Sequence, residues 1–166
     1  MLYVKLNTQP YGGTMSSTNE TFLKYISIIQ RNYTRYMDYE LEKKQIGYGQ
    51  QFFLPCIYEY DGITMYDLAK IGRFDKGTVT KAVQKLIEEG YVISETDEND
   101  RRVKHLHITP KSIPVIELIY ELRDRWKNII IKDISIKDEE KLKFLLKEIA
   151  ENSCEAMKDI NLRKVR

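Results

Sequence analysis

The chain has 166 residues, of which 42% are hydrophobic and 31% charged, and its 27 basic and 25 acidic residues leave a formal net charge of +2. This composition excludes a wholly disordered chain and predicts a folded protein whose length allows one domain or two small elements sharing a core. No apolar run approaches the roughly 18 residues of a membrane-spanning helix, and residues 1–14 lack the pattern of a secretory signal. We therefore expect a cytoplasmic protein that does not enter a membrane.

An amphipathic helix is the first predicted element. Ser17 and Glu20 form a capping-box pattern, and apolar side chains then recur at spacings of three and four as far as Tyr36. This spacing predicts a long helix that ends near Gly47. A shorter, more apolar helix is expected over residues 49–60, with a kink at Pro55.

Two short helices joined by a tight turn come next. Thr64 can cap the first of them and Gly72 is expected to stop it, while Asp75 can cap the second and Gly90 is expected to end it. A four-residue turn that contains glycine, residues 72–75, therefore links the pair. Such a pair is typical of a helix-turn-helix.

A β-hairpin is predicted after the helix-turn-helix. The runs 91–95 and 103–109 are rich in β-forming residues, and they flank a polar loop, residues 96–102, that is longer than a tight hairpin needs. The hairpin should therefore carry a protruding tip, or wing.

The chain is expected to finish with two more helices, one beginning at Pro110 and one capped by Ser135 with Asp138. Their apolar stripes, with that of the first helix, exceed what the winged region can cover, so we expect two copies to pair through them. Packing of the stripes inside a monomeric bundle is the alternative. The expected organisation is an N-terminal extension (1–15), an N-terminal dimerisation helix (16–48), a winged helix-turn-helix domain (49–112) and C-terminal dimerisation helices (113–166).

Charge placement favours a nucleic-acid partner. Between Arg73 and Lys85 four basic residues face one acid, on the side of the second helix opposite to its apolar stripe. Such a helix fits the major groove of DNA, and an arginine at the wing tip suits the narrow, negative minor groove. Asp100 is close enough in sequence to hold Arg102 in a fixed orientation by a charge-assisted hydrogen bond.

Residues 74–81 and 86–92 resemble the recognition helix of the MarR family of bacterial winged-helix regulators, and Asp100-Arg101-Arg102 with residues 106–109 resembles its wing. The resemblance implies a mainly α (α+β) fold with a winged helix-turn-helix domain, and a homodimeric, non-enzymatic repressor that binds a palindromic site in double-stranded DNA. Gly77 departs from the small hydroxyl residue common at its position in the family. The predicted DNA-binding residues are Arg73, Lys76, Gly77, Thr78, Thr80, Lys81, Gln84 and Lys85 in the recognition helix and the turn before it, and Asp100, Arg101, Arg102 and Lys104 in the wing.

Aromatic residues of the first two helices form a second candidate site. Their rings have an apolar body, most with a polar tip, so they can line a pocket for a small aromatic effector, although such rings are also common in cores and interfaces. The residues concerned are Tyr25, Tyr33, Tyr36, Phe53 and Tyr58.

No cofactor or metal site is predicted. His105 and His107 share one face of a strand, but no third His or Cys joins them. The chain also lacks a Ser/His/Asp arrangement and a phosphate-binding glycine loop, so we do not expect an enzyme. The alternative to a DNA-binding regulator is a winged-helix module for protein assembly, in which the second helix docks a protein partner.

Overall fold

The computed structural model describes residues 17–47 and 49–164, except for the side chains of residues 17–21, 158, 159 and 161–164. The helices are α1 (Ser17–Leu41), α2 (Gln50–Glu59), α3 (Met65–Gly72), α4 (Lys76–Glu88), α5 (Ile113–Ile130) and α6 (Ile136–Lys164), and the strands are β1 (Ile63–Thr64), β2 (Val92–Thr96) and β3 (Lys104–Ile108). Single 3-10 turns lie at Glu42–Lys44 and Pro110–Ser112. The predicted fold class, mainly α with a winged helix-turn-helix, is confirmed.

Helix α1 ends earlier than predicted, at Leu41 instead of near Gly47. A 3-10 turn follows, and Gln45 closes it in the left-handed conformation, at φ 55°, with its N–H donating to the carbonyl of Glu42. Hydrogen bonds join this first segment to the winged part. The Tyr91 hydroxyl donates to the Lys44 carbonyl at 2.9 Å, and the Tyr33 hydroxyl donates to Oε1 of Gln51 at 3.3 Å. The predicted capping box of Ser17 and Glu20 lies outside the described side chains.

Helix α2 continues through Pro55 from Gln50 to Glu59. A proline inside a helix removes one intrahelical hydrogen bond, here the bond to the carbonyl of Gln51. The fully buried side chains of Phe53, Leu54 and Ile57 outweigh that loss.

The helix-turn-helix forms where the sequence predicts it, but its turn has three residues, 73–75, instead of four. Thr64 caps α3 as predicted, since its hydroxyl oxygen accepts from the N–H of Asp67 at 3.1 Å. The prediction that Gly72 stops α3 is wrong. Gly72 is the last helical residue, and Arg73 takes the left-handed conformation at φ 54°.

The three strands form one antiparallel sheet in the order β1-β3-β2. Strands β2 and β3 make the predicted hairpin, with Ile93 opposite His107 and Glu95 opposite His105. Strand β1 was not predicted, because two residues are too few to show an alternating pattern. It pairs with β3 through Ile63 opposite Leu106.

The chain forms two compact units, divided after Ile119. The first holds the sheet and a core of side chains buried to 1% exposure or less, among them Phe53, Leu54, Leu68, Val83, Leu86 and Leu106. In the second, the Ser135 hydroxyl accepts from the N–H of Asp138 and caps α6 as predicted. Lys127 and Glu139 form an ion pair there at 2.6 Å. Among the described residues, no helix is both long and apolar enough to cross a lipid bilayer.

Candidate nucleic-acid interface

Helix α4 is fixed in place by its cap and by its apolar face. Oδ1 of Asp75 accepts from the N–H of Thr78 at 2.9 Å, and Val79, Val83 and Leu86 are buried on the inner side. The hydrogen bonds from Thr78, first the one from its hydroxyl, hold the pKa of the Asp75 carboxyl below its ordinary value. The predicted recognition-helix residues all lie on the exposed side: Lys76, Gly77, Thr78, Thr80, Lys81, Gln84 and Lys85.

The two exposed threonines of α4 are already hydrogen-bonded within the helix. The Thr78 hydroxyl donates to Oδ2 of Asp75 at 2.6 Å, and the Thr80 hydroxyl donates to the carbonyl of Lys76 at 2.8 Å. Each hydroxyl has one proton, so only its lone pairs remain for a ligand. In this arrangement both residues present hydrogen-bond acceptors.

An aromatic cluster supports the turn that leads into α4. The rings of Phe52, Phe53 and Phe74 pack with centroids 5.0 to 5.3 Å apart. Gly72 lies against this cluster, because a Cβ atom there would overlap the ring of Phe74 and lie 2.7 Å from Cε1 of Phe52. Close approach of the rings, and not a left-handed backbone, therefore explains the glycine.

Two aspartates organise the loop of the wing. Oδ1 of Asp97 accepts from the N–H groups of Asn99 and Asp100, both at 2.8 Å. Oδ1 of Asp100 accepts from the backbone N–H of Arg102 at 2.9 Å. The loop is thus held by carboxylates bonded to its own main chain.

The predicted hydrogen bond between Asp100 and Arg102 is present, and its donor is the backbone N–H of Arg102. The role of Asp100 in bracing that arginine for DNA stays a prediction. Asp100 bonds the main chain of Arg102, and the ion pairs among the described residues include none between the two side chains. Because only one residue separates Asp100 from Arg102, the short Asp side chain reaches the Arg102 backbone N–H more readily than the end of the long arginine side chain. The Arg102 side chain is exposed.

A cleft of about 450 Å³ lies between the start of α3, the start of α4 and the wing. It brings together Lys76 from α4 with Arg102 and Lys104 from the wing. Thr64, Met65, Tyr66 and Val103 complete its lining. Lys76 therefore meets two basic residues of the wing, distant from it in the sequence, at one concave surface, and this positive charge suits an anionic ligand.

Tyr66 was not among the predicted site residues, although its side chain is 75% exposed beside the three basic groups. Its position in the first turn of α3 could have indicated that it belongs to the site, because helix N-termini commonly bind anions. Nine of the twelve predicted DNA-binding residues lie outside the lining of the cleft: Arg73, Gly77, Thr78, Thr80, Lys81, Gln84, Lys85, Asp100 and Arg101. Arg73 lies at the end of α3, and Gln84 donates to Glu88 at 3.2 Å.

The aromatic residues of the second candidate site lie in different surroundings. Tyr25 and Tyr58 are 58% and 48% exposed, and Tyr33 and Tyr36 are half-buried. Phe53 is only 1% exposed and belongs to the aromatic cluster beneath the turn. Its ring therefore serves the core of the winged part.

Both histidines have hydrogen-bond partners. Nδ1 of His105 lies 2.7 Å from the carbonyl of Gly62 and its Nε2 lies 3.0 Å from Oδ2 of Asp97, while Nδ1 of His107 lies 2.9 Å from Oδ1 of Asp61. Within the described ranges, no group of three or more His, Cys, Asp or Glu side chains is arranged to hold a metal ion.

Comparison with known proteins matches this chain to helix-turn-helix transcriptional regulators. The MarR family model matches residues 48–104. The HTH-type transcriptional regulator BilQ of Clostridium symbiosum is 26% identical over 130 residues, which are 78% of this chain and 90% of that protein.

Solved structures that are similar to this chain include MarR regulators. A MarR transcriptional regulator from Methanosarcina mazei has 31% identity and a TM-score of 0.74, with 82% of this chain and 98% of that one covered. A regulator from Listeria monocytogenes, assigned to the MarR family and solved with a 26mer DNA, has 25% identity and a TM-score of 0.74, with 78% and 87% covered.

Proposed function

Because the chain belongs to the MarR family of DNA-binding helix-turn-helix transcriptional regulators, we propose that it binds a palindromic operator as a homodimer and represses transcription. Helix α4 enters the major groove and the wing reaches the adjacent minor groove. The roles of individual residues below belong to the same proposal.

The cleft that joins Lys76 to Arg102 and Lys104 is the observation that carries the proposal. A helix N-terminus, two lysines and an arginine at one concave surface favour a backbone phosphate, which fixes the register of the protein on the duplex. From that register the exposed side of α4, with Thr78 and Lys81, faces base edges. The wing that carries Arg102 then lies at the adjacent minor groove.

Exposed apolar side chains support the homodimer. On α1, Phe22, Ile26 and Ile29 are 36% to 53% exposed. On α6, Leu142, Leu145 and Ile149 are 37% to 45% exposed. Apolar stripes of this kind on a protein in water are commonly covered by a second copy, and a two-fold axis then presents two recognition helices about 34 Å apart.

Repression follows if the operator overlaps a promoter, and a small aromatic effector bound near Tyr25, Tyr33, Tyr36 and Tyr58 would release the DNA. This part of the proposal is checked by adding a panel of small aromatic compounds to the bound duplex. Release of the duplex by one of them, and loss of that response in Tyr33→Ala, support the effector site. Phe53 is left out of that test because its ring is buried in the core.

The test of the whole proposal is selection of bound duplexes from a random pool. We expect an inverted repeat with half-sites one helical turn apart, and an affinity that falls steeply with salt as phosphate counterions are released. Sedimentation should show a dimer, which Leu145→Glu weakens. A chain that stays monomeric at high concentration contradicts the dimer.

Variants separate this function from a protein-assembly module. Lys81→Ala and Arg102→Ala should each weaken binding to the selected duplex by about 1 to 3 kcal/mol. Lys43→Ala is the matched control, since it removes one exposed positive charge outside the helix-turn-helix and the wing. If the first two variants bind the duplex like the wild type, α4 does not read DNA and the assembly module is favoured.

A further inference from the structure

His105 joins the base of the wing to the loop before β1, in addition to the main-chain hydrogen bond from the N–H of Asp97 to the carbonyl of Val103. Oδ2 of Asp97 lies 3.0 Å from Nε2 of His105, and the other oxygen of the same carboxylate accepts from two N–H groups of the wing loop. Nδ1 of His105 lies 2.7 Å from the carbonyl of Gly62, just before β1. His105 thus connects the loop before β1 to the carboxylate that shapes the wing.

The partners of His105 fix its protonation. A backbone carbonyl only accepts hydrogen bonds, so Nδ1 must donate to Gly62. An ionised carboxylate also only accepts, so Nε2 must donate to Asp97. The Asp97 carboxyl is held in its ionised form by the N–H of Asp100, by His105 and by the N–H of Asn99, which lower its pKa. Both hydrogen bonds can therefore form together only when His105 is an imidazolium.

We propose that His105 is a positioning residue for DNA binding: as an imidazolium it holds Asp97, and through Asp97 the wing loop that carries Arg101, Arg102 and Lys104. This inference rests on the proposed function, because the wing matters only if it contacts a duplex. The hydrogen bonds run in sequence from His105 to Asp97, from Asp97 to the N–H of Asp100, and from Asp100 to the N–H of Arg102. Loss of the proton on His105 removes the first of these bonds.

The charged groups around His105 set the direction of the pH effect. Asp97 faces it from the wing loop and Glu95 from β2, opposite His105 in the ladder, while Lys104 and His107 flank it on β3. The hydrogen bonds to Gly62 and then to Asp97 raise the pKa of His105 above its ordinary value. The hydrogen bond to Asp97 is therefore fully formed at pH values below the ordinary histidine pKa. It is lost as the pH rises through the raised pKa that His105 has in the folded protein.

His107 provides a matched control. It lies two residues away on the same strand, and its ring nitrogens face Asp61 and Glu95 instead of Asp97. It is also the only other histidine in the chain. Comparing His105→Gln with His107→Gln therefore separates an effect on the wing from the loss of one titratable group.

The experiment has one readout without DNA and one with it. Hydrogen exchange of the Asn99, Asp100 and Arg102 amides is measured by NMR in the wild type, H105Q and H107Q at about pH 6 and pH 8.5, either side of the usual histidine range. Affinity for the selected duplex is measured under the same conditions. Circular dichroism confirms that each variant is folded.

We expect the wild type and H107Q to lose wing protection and about three- to tenfold in affinity as pH rises, the net effect of one lost hydrogen bond. H105Q should show the weaker binding at both pH values and little change between them. Equal protection and equal pH profiles in H105Q and H107Q would overturn the proposal. A wild type that binds no duplex contradicts the proposed function instead, and the exchange data then still decide whether His105 holds the wing.

Discussion

The backbone N–H of Arg102 donates a 2.9 Å hydrogen bond to Oδ1 of Asp100, so these two residues are joined through the main chain. The Arg102 guanidinium is left exposed at the cleft that it shares with Lys76. The Asp100 carboxylate therefore fixes the conformation of the loop backbone, and the position of that backbone orients the Arg102 side chain.

Asp100→Asn and Asp100→Ala should behave differently for this reason. Asparagine keeps an oxygen that can accept from the Arg102 N–H, whereas alanine does not. We expect Asp100→Ala to weaken duplex binding by about threefold to tenfold, the net effect of one hydrogen bond, and Asp100→Asn to bind at least as well as the wild type. Fluorescence anisotropy with a labelled duplex checks this. Equal weakening in both variants would indicate a direct carboxylate contact with the guanidinium.

Thr78 should recognise a base that donates a hydrogen bond. Its hydroxyl proton is engaged by Asp75, so its lone pairs face outward and can accept from the amino group of cytosine or adenine. Thr78→Val should relax the preference for that base in each half-site and cost about 1 to 3 kcal/mol on the preferred duplex. Thr78→Ser keeps the hydroxyl and serves as the control. Unchanged base preference in duplexes selected with Thr78→Val would exclude this contact.

Gly72→Ala should lower stability. Alanine gains up to about 1 kcal/mol in helix propensity, but its Cβ would overlap Phe74 and crowd Phe52, and overpacking costs about 1 to 3 kcal/mol. The cost of steric crowding should therefore exceed the gain in helix propensity. Movement of the Phe74 ring, which is 39% exposed, can relieve part of that cost. Denaturant unfolding monitored by circular dichroism measures the difference.

Gly49→Ala is the control for that substitution. A Cβ at Gly49 meets no atom within 4 Å, and its φ of −64° suits any residue. Alanine there should be neutral or stabilise by about 0.4 to 1 kcal/mol through the unfolded chain. If Gly72→Ala is as stable as Gly49→Ala, the aromatic cluster is looser than the distances indicate.

The cap of α4 should contribute to stability only while Asp75 is ionised. Hydrogen bonds from Thr78 lower the pKa of Asp75 in the folded protein. The cap therefore contributes fully to stability above the pKa of an aspartate in the unfolded chain, about 3.9. Its contribution is lost as the pH falls through the lowered pKa of the folded protein. Asp75→Asn caps a helix without titrating in this range. Thermal unfolding between neutral and acid pH should show a smaller loss for Asp75→Asn than for the wild type. Parallel curves would show that the cap does not depend on the charge.

Local patterns in the sequence were enough to predict most of the fold. The caps at Thr64, Asp75 and Ser135 lie where the sequence predicts them, because each depends on a side chain and an N–H three residues apart. The hairpin was predictable for the same reason, since strand alternation and a polar loop are local signals. Strand β1 was not, because its two residues become a strand only by pairing with β3.

The sequence by itself determined the helices, the wing and the set of basic residues, since periodicity and capping act over a few neighbouring positions. Only the tertiary structure decided which of those basic residues meet, and it selected Lys76, Arg102 and Lys104. It also brought Gly72 against Phe52 and His105 against Gly62, contacts across 20 and 43 positions. Contacts between residues this far apart in the sequence are set by how the folded core packs, so they cannot be predicted from the spacing of residues along the chain.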